Sequence, residues 1–108
     1  MKLLRYGAPG AEKPGLLDAK GVLRDLSGSI PDVAGQALTS ASLAKLKALD
    51  PETLPAVDGS PRIGACVGDV RNFIAVGLNF ADHAAETGAE IPKEPILFNK
   101  APSCIVGP

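Results

Sequence analysis

The only histidine in the chain, His83, stands three residues before Glu86 in the segment GLNFADHAAETG, residues 77–88. An imidazole beside a carboxylate is a serviceable acid–base couple. The ring orients the carboxylate, and one of the two accepts a proton from water or substrate near neutral pH. Asp82 and Glu86 form a like-charge i,i+4 pair, mildly unfavourable unless a cation or metal lies nearby. Cys66 and Cys104 form neither a CxxC nor a ligand cluster. Two lone cysteines fit a reducing cytoplasm better than a disulfide.

Helical geometry decides whether His83 and Glu86 can meet. Asn79 is a good N-cap residue, Asp82 suits the first turn and its dipole, and Gly88 is a natural helix terminator. At 100° per residue, Phe80, Ala81, Ala84 and Ala85 share one arc, and Asp82, His83, Glu86 and Thr87 share the other. His83 and Glu86 are then i,i+3 neighbours within hydrogen-bonding reach. A helix this short needs tertiary support. From this stretch alone, a polar arc facing water is the better reading. Against it stands the position of the helix, directly after the apolar strand NFIAV, at a junction of the kind where active-site residues often sit.

The elements that must position this helix are short. Ten prolines and twelve glycines in 108 residues favour strands and turns over long helices. Lys2–Tyr6 reads as a strand, residues 7–15 as a loop, and GLLDAKGVLRDLSG as a hairpin closed by a type I turn at Asp18-Ala19-Lys20-Gly21. Residues 39–50, TSASLAKLKALD, form the clearest helix. Thr39 or Ser40 caps it, Leu43, Leu46 and Leu49 share a side, and Pro51 stops it. This is a packing helix. Residues 51–62, PETLPAVDGSPR, read as a linker. Short apolar segments come after it at residues 63–67, 72–76 and 95–98. The fold class is α+β and β-rich, with a small N-terminal β domain over residues 1–60 and a second domain beginning over residues 61–108. The portion beyond the linker is too small for a comfortable core of its own, so the chain is expected to be a fragment or to dock on something.

Several function classes are disfavoured by composition. Net charge is −1 with Lys and Arg scattered, which argues against a nucleic-acid surface. No apolar run approaches the roughly 20 residues of a membrane span, and no signal-peptide apolar region comes after Lys2 and Arg5. The expected localisation is cytoplasmic.

Residues 72–108, NFIAVGLNFADHAAETGAEIPKEPILFNKAPSCIVGP, strongly resemble the entry into the catalytic domain of the fumarylacetoacetate hydrolase superfamily. The shared pattern is a strand, G-x-N-[YF]-x-x-H-x-x-E, a loop, then E-P-x-x-F-x-K and P-S. Gly77, Asn79, Phe80, His83 and Glu86 fill the first block; Glu94, Pro95, Phe98, Lys100, Pro102 and Ser103 fill the second. The preceding β-rich part resembles the small N-terminal domain of many bacterial members. The resemblance implies a mixed β-roll catalytic domain, of which this chain holds only the beginning, and a homodimer.

It also implies a metal-dependent enzyme acting on a small oxo-acid. His83 and Glu86 would be the catalytic dyad on a short helix or lid that orders over the substrate, with Asn79 and Lys100 as substrate-binding residues. Mg²⁺ or Mn²⁺ would chelate the substrate's oxo-carboxylate, stabilising the enolate left by cleavage of a C–C bond. Two departures stand out. Phe80 replaces a frequent Tyr, losing that ring's hydrogen bond. The metal-binding carboxylates are expected downstream of residue 108, because no acidic cluster of the kind a hard cation wants comes after Glu94. The 108 residues alone are therefore expected to be inactive. The implied reaction is hydrolysis of a 2,4-dioxo acid of the acylpyruvate type. Ureidoglycolate lyase and hydroxymuconate-type isomerase are alternatives within the superfamily. A non-catalytic module docking on a partner is the alternative of another class.

Overall fold

β1 (Lys2–Tyr6), β2 (Lys13–Leu17) and β3 (Leu23–Asp25) form an antiparallel sheet in the order β1-β2-β3 in the computed structural model, which describes all of Met1–Pro108. The β2–β3 turn closes where the spacing predicts, with the Gly21 N–H donating to the Asp18 carbonyl at 3.1 Å. The Asp18 carboxylate locks it, accepting from the Lys20 and Val22 N–H groups at 2.9 and 2.8 Å and from Arg24 Nε at 3.0 Å. This side-chain mimicry of a turn is why Asp suits that corner.

β2 begins inside the segment predicted as loop, and takes in Pro14 and Gly15. Pro14 has no N–H to give, but its carbonyl accepts from Leu26 N at 3.0 Å. Gly15 is required by close approach. A Cβ there would lie 2.9 Å from Leu23 Cδ1 and 3.0 Å from Tyr6 Cδ1. Gly15→Ala is therefore expected to destabilise the first unit by about 1–3 kcal/mol through overpacking. A lowered urea midpoint at unchanged slope checks it.

The proline-rich segment read as a linker is pinned along both edges of this sheet. Residues 55–57 run beside β3, with Asp25 N donating to Pro55 O and Val57 N to Leu23 O, each at 2.9 Å. Residues 62–64 run beside β1, with Gly7 N donating to Arg62 O at 2.9 Å and Gly64 N to Arg5 O at 2.8 Å. Prolines forfeit donors but keep their carbonyls, so the segment can still satisfy an edge.

α1 (Ser40–Lys47) starts at Thr39, whose hydroxyl accepts from Ser42 N. It buries Leu46 against Leu16 and Leu26, with Leu3, Ile30, Leu43, Leu49 and Leu54 packed around them. Lys45 and Lys47 stay exposed. As expected, this helix serves packing.

Ion pairs tie the loops to the sheet. Arg5 bonds Asp32 at 2.7 Å, Arg62 bonds Glu12 at 3.0 Å, and Arg24 bonds Asp18 at 3.0 Å. The hydrogen bond from Arg62 chiefly holds the Glu12 carboxyl below its ordinary 4.5. At Asp18, burial pushes upward, but the Val22 N–H, Arg24 and the Lys20 N–H outweigh it and hold the group below 3.8. Asp25 behaves likewise, its bonds from Ser27 outweighing burial. Depressed carboxyls bind fewer protons folded than unfolded, so their contribution is present above the ordinary values and lost as pH falls through the folded ones. Acid unfolding should set in below about pH 4, with a shallower slope in Asp18→Asn; circular dichroism against pH checks this. At the alkaline end, burial and then Asp25 raise the Tyr6 hydroxyl above 10.0, a contribution lost as pH rises through the folded value.

Met1–Val70 with Ile105–Pro108 form this first compact unit, and Arg71–Cys104 form a second. The second holds β4 (Phe73–Gly77), α2 (Ala81–Thr87) and β5 (Ile96–Lys100), with β4 and β5 paired antiparallel. The observed class is thus α+β and β-rich, with two sheets and two α-helices. No helix is long and apolar enough to cross a membrane.

Candidate functional site

β4 delivers the chain to α2 through a constrained junction. Leu78 adopts a left-handed conformation with φ 46°, unusual for a branched side chain. The turn there displaces the helix start, and Phe80, extended at φ −116° and ψ 135°, occupies the N-cap with no side-chain cap bond. Asn79 therefore does not cap α2, contrary to the expectation from sequence. It lies one residue too early and lines a cleft instead.

The far end of α2 closes as predicted. Gly88 is left-handed at φ 66°, with its N–H donating to Ala85 O at 3.2 Å and that of Ala89 to Ala84 O at 2.9 Å. This double closure satisfies the last carbonyls and suits glycine, since another residue pays roughly 1–2 kcal/mol for that backbone conformation. The Thr87 hydroxyl adds bonds to His83 O at 2.9 Å and Ala84 O at 3.2 Å. Ala84 alone is buried on this helix, at 1% exposure.

His83 and Glu86 thus share the exposed polar side of a seven-residue helix, at the i,i+3 spacing. No hydrogen bond or ion pair joins them. Lys100 ends β5, and its Nζ lies 5.8 Å from the centroid of the Phe73 ring, its direct cross-strand neighbour. That contact holds the cation by the attraction of a ring face. No hydrogen bond joins any two of His83, Glu86, Asn79 and Lys100.

A cleft of about 300 Å³ opens between residues 76–79 and residues 91–95. Asn79, Lys93 and Glu94 are its polar walls; His83, Glu86 and Lys100 do not line it. The motif reading missed Lys93 as a neighbour of Asn79. The available signal was the spacing of Pro92 and Pro95, which stiffens this loop opposite the junction. No group of three or more His, Cys, Asp or Glu residues could hold a metal ion. Cys66 and Cys104 are free and exposed.

No family model matches the chain. Over all 108 residues it is 64% identical to a protein of Burkholderia cenocepacia, 65% to one of Burkholderia multivorans and 63% to one of Burkholderia ambifaria. All three carry provisional hydrolase names without a stated substrate. The chain spans 38% of the length of each of these curated relatives.

Proposed function

We propose that these residues are part of a hydrolase of the fumarylacetoacetate hydrolase superfamily, acting in the cytoplasm as a homodimer on a 2,4-dioxo acid of the acylpyruvate type. The observation that carries the reading is the strand-to-helix junction, which sets His83 and Glu86 at i,i+3 on an open helix face. The hydrolase names of the relatives support the enzyme class. The two sequence blocks around Asn79 and Lys100 support the superfamily.

In this reading His83 orients Glu86, and the pair takes the proton from the attacking water or from substrate. Asn79 offers an amide and Lys100 a cation to the oxo-acid, Lys100 leaving its perch over Phe73 to do so. A divalent cation, Mg²⁺ or Mn²⁺, belongs to the same proposal. The residues present do not fit one, since no cluster of three ligand side chains exists in this chain. Its ligands would come from the part of the longer protein that the relatives carry outside the matched region. The reaction performed on the dioxo acid depends on those same residues.

The test grafts these 108 residues in place of the matched region of the Burkholderia cenocepacia relative and assays acylpyruvates with and without Mg²⁺. Turnover that requires the metal and is lost on chelation is expected. A folded chimera that binds no oxo-acid and turns none over would sink the assignment.

A further inference from the structure

A larger cleft, of about 570 Å³, lies wholly within the first unit. Small-molecule sites are concave, mostly apolar hollows of roughly 300–1,000 Å³ with a few polar groups that fix orientation. Leu16 and Leu46, both buried, line this one together with half-buried Leu49, and exposed Lys2, Lys47 and Ala19 line it from the solvent side. The charge around it is one-sided. Lys2 and Lys47 take part in no ion pair or hydrogen bond. The one carboxylate in the lining, Asp18, has a side chain only 3% exposed, and is spent on Arg24 and on the Lys20 and Val22 N–H groups. Neither neighbouring acid supplies a counter-charge from the lining, since Glu52 is paired with Lys20 and Asp50 caps the turn at Pro51–Thr53. Two uncompensated cations beside a leucine-lined hollow are a surplus that a bound anion relieves.

Together the two features select a ligand. A neutral apolar molecule would use the leucines and leave the lysines idle, and an inorganic anion would do the reverse. A singly charged head on an apolar tail uses both, with the tail on Leu16, Leu46 and Leu49 and the head toward Lys2 and Lys47. Two lysine point charges without an arginine fork suit a carboxylate better than a phosphate, which favours bidentate donors. We propose that this cleft is a binding site for a small amphipathic carboxylate. All of its residues belong to the first unit, whereas α2 with His83 and Glu86 belongs to the second. The proposal therefore does not depend on the reaction read from α2.

Titration with octanoate, followed by amide chemical shifts, tests it on this 108-residue chain and on the grafted chimera. Saturable shifts at Leu16, Ala19, Leu46 and Leu49 are expected in both proteins, with a Kd on the order of 1 mM for so small a ligand in an open cleft. Butyrate should bind at least about tenfold more weakly, because less apolar surface is buried. Octanol should also bind about tenfold more weakly, as should octanoate to the double variant Lys2→Gln/Lys47→Gln, because the charge pairing is lost. Ala19→Phe, at an exposed turn position, should obstruct the cleft and abolish the shifts. If that variant fails to fold, the lysine variant, altered only at exposed side chains, carries the test alone. Equal binding of octanol and octanoate overturns the proposal, as does unchanged affinity in the lysine variant. Shifts of equal size at exposed Ile74 and Leu97 reveal detergent-like adsorption and overturn it too. Binding by the isolated chain but not by the folded chimera overturns it in favour of a surface covered by the rest of the longer protein.

Discussion

In the grafted enzyme, His83→Ala and Glu86→Gln should each lower kcat by about 10²–10⁴, the usual contribution of a positioned acid or base. Asp82→Asn, one residue away on the same open face, should stay within about twofold, as exposed substitutions ordinarily do. The contrast matters because all three side chains are exposed. If the face were merely solvated, the three variants would behave alike. An exposed dyad in water is a weak catalyst, since solvent screens both groups and competes for their hydrogen bonds. His83 and Glu86 are i,i+3 neighbours on α2 with no bond between them, so on the proposed reading their productive geometry would form only when α2 is covered. The double mutant should then be scarcely worse than either single one, because the two residues act as a unit. Pre-steady-state turnover across pH reports this directly. Retained activity in either single variant would remove the dyad from the reaction.

How much of this was legible beforehand depends on the range of the interaction involved. β1, α1 and the Asp18 turn were readable because their determinants lie within a few residues: an apolar run, a Thr39 cap, an Asp at a corner. β1 and the Asp18 corner lie where those signals put them, and α1 starts at its Thr39 cap but ends at Lys47, three residues short of the predicted Asp50, so Pro51 is not what stops it. The start of β2 was not readable, since Pro14 and Gly15 are breakers by composition. They are kept in a strand by Leu26 N reaching the Pro14 carbonyl and by Tyr6 and Leu23 closing over Gly15. The pinning of residues 55–57 to β3 was hidden for the same reason. At the candidate site, the nearness of His83 and Glu86 came from helical spacing alone. The place of Lys100 did not, because it depends on the register that sets it opposite Phe73. Asn79 was misread because a local cap preference cannot reveal that Leu78 has already turned the chain.

Leu26→Ala should be the most damaging single substitution to the first unit, costing about 2–5 kcal/mol. Leu26 is fully buried, with 0% exposure, between Leu16 on β2 and Leu46 on α1. The cavity left by its truncation cannot easily close. Leu16 is held by pairing to Leu3 and Arg24, and Leu46 by the helix that Thr39 caps. Leu26 is also fixed by its own backbone. Its N–H donates to Pro14 O at 3.0 Å, and its carbonyl accepts from Ser29 N at 2.8 Å and Ile30 N at 3.0 Å. Those bonds survive in the alanine variant, so the loss measures packing alone. Against a total stability of about 5–15 kcal/mol for a small domain, the loss would unfold a sizeable fraction of the protein. Leu97→Ala, at a site 64% exposed in the second unit, should shift the same urea transition by less than about 0.5 kcal/mol. If Leu26→Ala unfolded no more readily than Leu97→Ala, the leucine cluster could not be what holds the sheet to α1. The first unit would then owe its stability to the Arg5, Arg24 and Arg62 ion pairs, and its unfolding midpoint would move with salt instead.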